Sequence, residues 1–197
     1  MVTAASTVVR LSGCKPAHAR VLSRPNTVQV SGLPASLACL VFARPDGNAL
    51  TAVTTVWDAI VDQAGADWHD ALRADPERTP IFSGLCDERF ALGLETIYEG
   101  YLCHYGSPRL FAPADDEAAL LLGDYLYAHG LVRIAATGEV DAVAELAGLI
   151  SLCARLRAER EDGDGEAWLV SAAALGSRPP TEDAVDSALA AHRKRVS

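Results

Sequence analysis

Aromatic residues make up only 6% of this chain, too few for a typical all-β core and better suited to helices built from alanine and leucine. Lysine is nearly absent: fifteen of the seventeen basic residues are arginine, a bias of composition, in keeping with a GC-rich genome, that points to no particular chemistry. Basic charge as a whole is scarce, and the formal net charge of −9 argues against a nucleic-acid binder, whose phosphate affinity comes from clustered Lys and Arg. No apolar run approaches the ~20 residues a membrane-spanning helix needs. The five cysteines, Cys14, Cys39, Cys86, Cys103 and Cys153, are odd in number and irregularly spaced. They form neither a disulfide framework nor a CxxC metal site, and read as reduced, structural thiols of a cytoplasmic protein.

Several catalytic signatures are also missing. There is no HExxH or ExxH motif for zinc or di-iron chemistry, no G-x-S-x-G serine elbow and no glycine-rich phosphate loop. The acidic run Asp162, Asp164, Glu166 superficially resembles a calcium loop. Counted from Asp162, however, the glycine and glutamate positions of an EF-hand hold Ala167 and Ala173, and the run reads as a solvated linker.

What is present divides at about residue 50. Residues 1–50 carry Arg10, Lys15, Arg20, Arg24 and Arg44 against Asp46 alone, a net +4 that leaves −13 on the remaining 147 residues. Prolines at 16, 25, 34 and 45 punctuate this segment. It reads as an irregular basic arm, with an organelle-targeting segment as the alternative. Residues 51–197 read as one all-α domain. Val53, Val56, Trp57, Ile60 and Val61 recur at helical spacing up to Gly65. A helix is expected from Leu85 to about Tyr105, with Ser83 as a possible cap and a stop at Gly106-Ser107-Pro108. Ala114-Asp115-Asp116-Glu117 opens the next, which runs to about Thr137 before Gly138. Val140 to Glu161 forms another, a short apolar helix ends at Leu175, and Thr181-Glu182-Asp183 caps the last. No strand pattern and no internal repeat appear after residue 50.

Two features stand out within these helices. Glu95 and Glu99, four apart, project from one helix face and match the oxygen-ligand chemistry of a Mg²⁺ site; taken alone, the pair more commonly marks a solvated face. Gly123-Asp124 interrupts an otherwise apolar helix, where glycine costs about 1 kcal/mol relative to alanine. His129 on the same helix reads as a core or rim side chain.

The order Gly106-Ser107-Pro108-Arg109, an acidic helix start, then Ala119-Leu-Leu-Leu-Gly123-Asp124-Tyr-Leu-Tyr-Ala128 resembles the centre of trans-polyprenyl diphosphate synthases. The next turn and helix, Gly138-Glu139-Val140-Asp141-Ala142-Val143 and Leu146-Ala147-x-x-Ile150, are similar as well, so that the resemblance covers residues 85–160. It implies a truncated isoprenoid-synthase-like helical bundle. The family's first Asp-rich motif, Asp-Asp-x-x-Asp, falls on Glu95-Thr96-Ile97-Tyr98-Glu99, with Thr96 in place of the middle acid. The arginine pair that follows it is His104-Tyr105, the lysine of Gly-Lys-Pro is Ser107, and no second Asp-rich motif follows Cys153.

Those departures bring the chain closest in character to the non-catalytic small subunit of two-component heptaprenyl diphosphate synthases. The expectation is a subunit or regulator with no catalytic residue and no cofactor, partnered by a catalytic polyprenyl diphosphate synthase or by itself. Leu120, Leu121, Leu122, Leu126 and Leu131 would then pack within the bundle or against that partner. Two alternatives stay open. One is a divergent enzyme or binder of isoprenoid diphosphates that holds Mg²⁺ through Glu95 and Glu99, with Arg109 and Asp124 as ligand contacts. The other is a self-associating helical protein unrelated to isoprenoids.

Overall fold

A computed structural model describes residues 55–196, and these are α-helical with two short 3-10 turns and no strand. The expected arm of residues 1–50, its boundary with the helical domain, Val53, Cys14 and Cys39 lie outside the described residues. All described residues belong to one compact unit.

Six helices follow in order: α1 Val56–Ala64, α2 Glu88–Tyr105, α3 Asp116–Ala135, α4 Val140–Glu159, α5 Asp164–Ala174 and α6 Glu182–Val196. Local chemistry sets most of their ends. Thr55 and Asp58 form a reciprocal capping box at the start of α1, which satisfies otherwise orphaned amides. Gly65 ends α1 with φ 73°. Asp115 caps α3 by accepting from the Ala118 amide at 2.8 Å, and Thr181 accepts from Ala184 at 3.3 Å ahead of α6.

Two boundaries differ from expectation. α2 begins at Glu88 rather than Leu85, because Ser83–Leu85 forms a separate 3-10 turn. Ser83 therefore does not cap α2. Asp87 stands at the cap position, but its carboxylate is turned to Ser177, accepting from the amide at 2.9 Å and the hydroxyl at 2.7 Å. The supposed linker after α4 is also shorter than expected. Arg160 closes α4 in the left-handed conformation, Gly163 supplies φ 119°, and Asp164 already opens α5.

α2 is the centre of the fold. Every residue from Gly93 to Cys103 is buried, so each face of this helix needs a partner. Phe82, Tyr98, Tyr101 and Trp168 form an aromatic core on one side, with Tyr98 edge-on to Trp168 at 4.9 Å. On another side Trp57, Ile60, Leu110, Phe111, Leu122 and Leu126 form a second cluster under α1.

α3 runs antiparallel to α2 and approaches it through four glycines. Gly100 faces Gly123, and Gly93 faces Gly130, so each helix contributes glycines seven residues apart to one seam. A Cβ added to Gly100 would lie 2.8 Å from the Gly123 carbonyl, and one added to Gly130 would lie 2.9 Å from the Gly93 carbonyl. Ile97 fills the space over Gly130, and Ile134 the space over Gly93. The leucines of α3 divide accordingly. Leu122 and Leu126 are fully buried and Leu131 packs against the core, whereas Leu120 and Leu121 are more than half exposed.

The glycines of this seam and of the surface should respond oppositely to a single methyl group. Gly130→Ala drives a Cβ into backbone and should cost about 1–3 kcal/mol. Gly148→Ala, where a Cβ meets nothing within 4 Å, should gain up to about 1 kcal/mol from helix propensity. Urea denaturation of the two variants checks both signs.

Candidate functional site

The sequence candidates Glu95, Glu99 and Arg109 meet in one place, and it is the interior. After α2 ends, the chain turns at Gly106 and doubles back, with Leu110 and Phe111 fully buried. Backbone bonds hold this return against residues 71–77: Arg73 donates to the Leu110 carbonyl at 2.9 Å, Ala112 to Ala71 at 2.6 Å and Glu77 to Arg109 at 3.1 Å. The return delivers the Arg109 side chain, 0% exposed, to the face of α2 that carries the two glutamates. Arg109 Nε donates to Glu99 Oε2 at 3.0 Å, and Nη1 lies 2.7 Å from Glu95 Oε2. Nη1 also donates to the Thr79 carbonyl at 3.1 Å. The guanidinium stands over the rings of Trp57 and Tyr98, 4.8 and 5.0 Å from their centroids.

The remaining carboxylate oxygens are occupied by backbone. Glu95 Oε1 accepts from the amides of Ile81 and Ser83 at 3.3 and 3.2 Å. Glu99 Oε1 accepts from Leu110 at 2.7 Å. Burial alone would push the Arg109 guanidinium down, but the two neighbouring carboxylates outweigh it and hold it above its ordinary value.

This geometry corrects two readings. Glu95 and Glu99 are not a solvated pair: they are 1% and 0% exposed. Nor is Arg109 placed to touch a phosphate, since its charge is consumed inside the chain. Mg²⁺, which the resemblance implies for these positions, does not fit the residues present. A cation already bridges both carboxylates, Thr96 spends its hydroxyl on the Leu92 carbonyl at 2.7 Å, and no third acidic ligand adjoins them among the described residues.

Asp124 lies elsewhere. Its side chain is 69% exposed and its Oδ1 sits 3.2 Å from Nε2 of the nearly buried His104 on α2. Burial pushes His104 below the usual histidine value, and Asp124 only partly offsets this. The same imidazole packs on Gly123, where an added Cβ would fall 2.5 Å from Nε2. Asp124 therefore lies apart from the buried Glu95–Glu99–Arg109 cluster. His129, at the rim, stacks on Tyr125 at 4.2 Å.

A second polar network was not apparent from the sequence. Asp164, expected in a solvated linker, has a side chain only 13% exposed. It accepts from Tyr101 and pairs with Arg157. Arg157 Nη2 donates to the Tyr101 hydroxyl at 2.8 Å. His192 of α6, 2% exposed, presents Nε2 to Asp164 at 3.4 Å and Nδ1 to the Tyr98 hydroxyl at 3.0 Å. The Tyr98 hydroxyl and Nδ1 share one hydrogen bond, whose donor is set by the imidazole tautomer. Four helices are thereby tied together: α2 by its tyrosines, α4 by Arg157, α5 by Asp164 and α6 by His192. Burial alone would raise the Asp164 carboxyl, but hydrogen bonds from His192 and Tyr101 and the charge of Arg157 hold it well below the usual carboxylate range. A surface cavity of about 660 Å³ adjoins this network, lined in part by His192, Arg157 and Lys194. The only sequence signal was the flanking pair Gly163 and Gly165, since Gly165 gives His192 room to approach.

Family models, curated proteins and solved structures were all compared with this chain, and none matched. The site's chemistry thus rests on its own residues. Both networks fasten helices to α2.

Arg109→Met should leave two carboxylates buried without compensation and lower stability by about 3–5 kcal/mol, as read from urea unfolding. Asp164 predicts a pH effect of definite sign. Its folded pKa lies below the unfolded value of about 3.9, so its stabilisation is full above that value and is lost as pH falls through the folded pKa. Asp164→Asn should flatten the acid limb of the stability curve below about pH 4 while lowering stability at pH 7, as urea midpoints at pH 7 and pH 3 would report.

Proposed function

We propose that this chain is a non-catalytic, polyprenyl-diphosphate-synthase-like subunit that associates with a catalytic isoprenoid diphosphate synthase. The observation that carries the reading is the closure of Glu95 and Glu99 by Arg109, with exposures of 1%, 0% and 0%. Those are the positions to which the resemblance assigns metal-binding acids. In a prenyl transfer site such acids hold metal ions that stabilise the departing diphosphate, and they must be reachable by substrate. Here they neutralise an arginine of the same chain.

Two further features support the reading. The Gly-Asp helix packs side by side with the Glu95 helix, Gly123 against Gly100, as the resemblance implies. Leu120, Leu121 and Val132 on α3 are 53%, 56% and 65% exposed, apolar area that association would cover.

Affinity purification after co-expression with a full-length polyprenyl diphosphate synthase should recover both chains. The isolated chain with Mg²⁺, isopentenyl diphosphate and an allylic diphosphate should give no prenyl product. Mg²⁺-dependent product formation that disappears in Glu95→Gln would overturn the reading in favour of a divergent enzyme. A stable homo-oligomer that ignores the synthase would favour self-association.

A further inference from the structure

The clearest unspent surface is a groove between α4 and α5, remote in sequence from the Glu95–Arg109 cluster. The inner faces of these helices are buried through Leu146 and Cys153 on α4 and Trp168 and Ala172 on α5. Their outer faces leave a groove of about 770 Å³. Its walls are apolar, with Leu149, Leu152, Leu156, Ala167 and Val170 among the lining residues. Leu152 is 38% exposed and Val170 65% exposed. At Gly148, on the same wall, an added Cβ would meet nothing within 4 Å, so the groove stays open where a side chain would partly fill it.

The charges along this groove are of one sign. Asp141, Glu145 and Glu166 line it, and among the described residues no Lys, Arg or His does. Glu145 is engaged, accepting from the Ser171 hydroxyl at 2.6 Å. Asp141 and Glu166 are exposed, one in the first turn of each helix. Basic residues border the rim outside the groove: Arg89, in a neighbouring cavity with Asp141, pairs with Glu139, and Arg157, in one with Glu166, pairs with Asp164.

We propose that this groove docks a cationic amphipathic helix of another protein. Apolar residues at i, i+3, i+4 and i+7 of such a helix would lie on Leu152 and Val170, the pattern by which helices fill apolar grooves. Lysines or arginines at its flanks would meet Asp141 and Glu166. The wall from Asp141 to Leu156 rises about 22 Å at 1.5 Å per residue, a length that about fifteen residues of bound helix would match. The chain's net charge of −9 adds long-range attraction for a basic partner.

Charge also decides against the obvious competitor. A two-fold pairing of this groove with its own copy would set one carboxylate rim on another, with no basic residue among the described residues lining either groove to relieve it. An acidic helix covers the apolar wall equally well and meets the same repulsion. The inference goes beyond the subunit reading above and holds whether or not the partner is an isoprenoid synthase.

The test uses the full chain and a fluorescein-labelled sixteen-residue peptide with a leucine stripe and lysines on the opposite face. A second peptide carries glutamate at each lysine. Anisotropy titration should show saturable one-to-one binding of the lysine peptide, weakening as salt is raised, and at least tenfold weaker binding of the glutamate peptide. The double variant Leu152→Asn with Val170→Asn should lose roughly tenfold or more in affinity with an unchanged melting curve. Asp141→Asn with Glu166→Gln should flatten the salt dependence. Equal binding of the two peptides, no binding of either, or binding indifferent to the Leu152/Val170 variant overturns the proposal. Sedimentation that reveals a dimer dissolved by that same variant overturns it too, and assigns the groove to a second copy.

Discussion

The burial of α2 on every side is the constraint from which the rest of the structure follows. A helix enclosed from Gly93 to Cys103 that also carries two glutamates must find a cation inside the protein. Taking a carboxylate out of water costs several kcal/mol even after relaxation, and only a close, well-bonded partner offsets it. Arg109 is that partner. Reaching it requires the chain to reverse after Gly106 and run back along the helix that it has just left. The reversal in turn fixes residues 71–83, whose amides and carbonyls complete the cluster through Ile81, Ser83 and Thr79. One electrostatic requirement thus organises some forty residues of irregular chain and helix.

The same enclosure explains how α3 is seated. A helix with buried polar groups on one face can still gain on another by letting a second backbone come close. Four glycines make that approach possible, and the dispersion and desolvation gained along the seam offset their weak helix propensity. On the far side, Asp164 draws Tyr101, Arg157 and His192 together and fastens the three later helices to α2. Both charged networks are therefore spent on architecture. Among the described residues, apolar area stays exposed on α3 and along the acid-rimmed groove of α4 and α5.

The helices were largely legible in the sequence, because caps and breaks are local. Asp115, Gly65, Gly138 and Thr181 each act within four residues of themselves. Burial was not legible. A glutamate pair four residues apart has one sequence pattern whether it faces water or an arginine, and Arg109 reaches Glu99 from a loop ten residues on. Asp164 was hidden more deeply. Its run of acids and glycines has the composition of a linker, while the tyrosine that binds it lies 63 residues earlier. The glycine seam failed for a related reason: the spacing of seven is visible on each helix, but becomes meaningful only when the two are laid antiparallel.

Gly123 and Asp124 owe their surroundings to the central helix. Glycine at 123 is required by the Gly100 carbonyl 3.1 Å from where its Cβ would be, and by the His104 ring beside it. Asp124 points away from that seam, into solvent, and pairs with the same histidine. Neither residue bonds to Glu95, Glu99 or Arg109. The pair is thus fully accounted for by how α3 lies on α2, and its presence says nothing about whether substrate is turned over. Architecture alone suffices to keep glycine at this position, because the packing penalty for any side chain falls on the central helix itself.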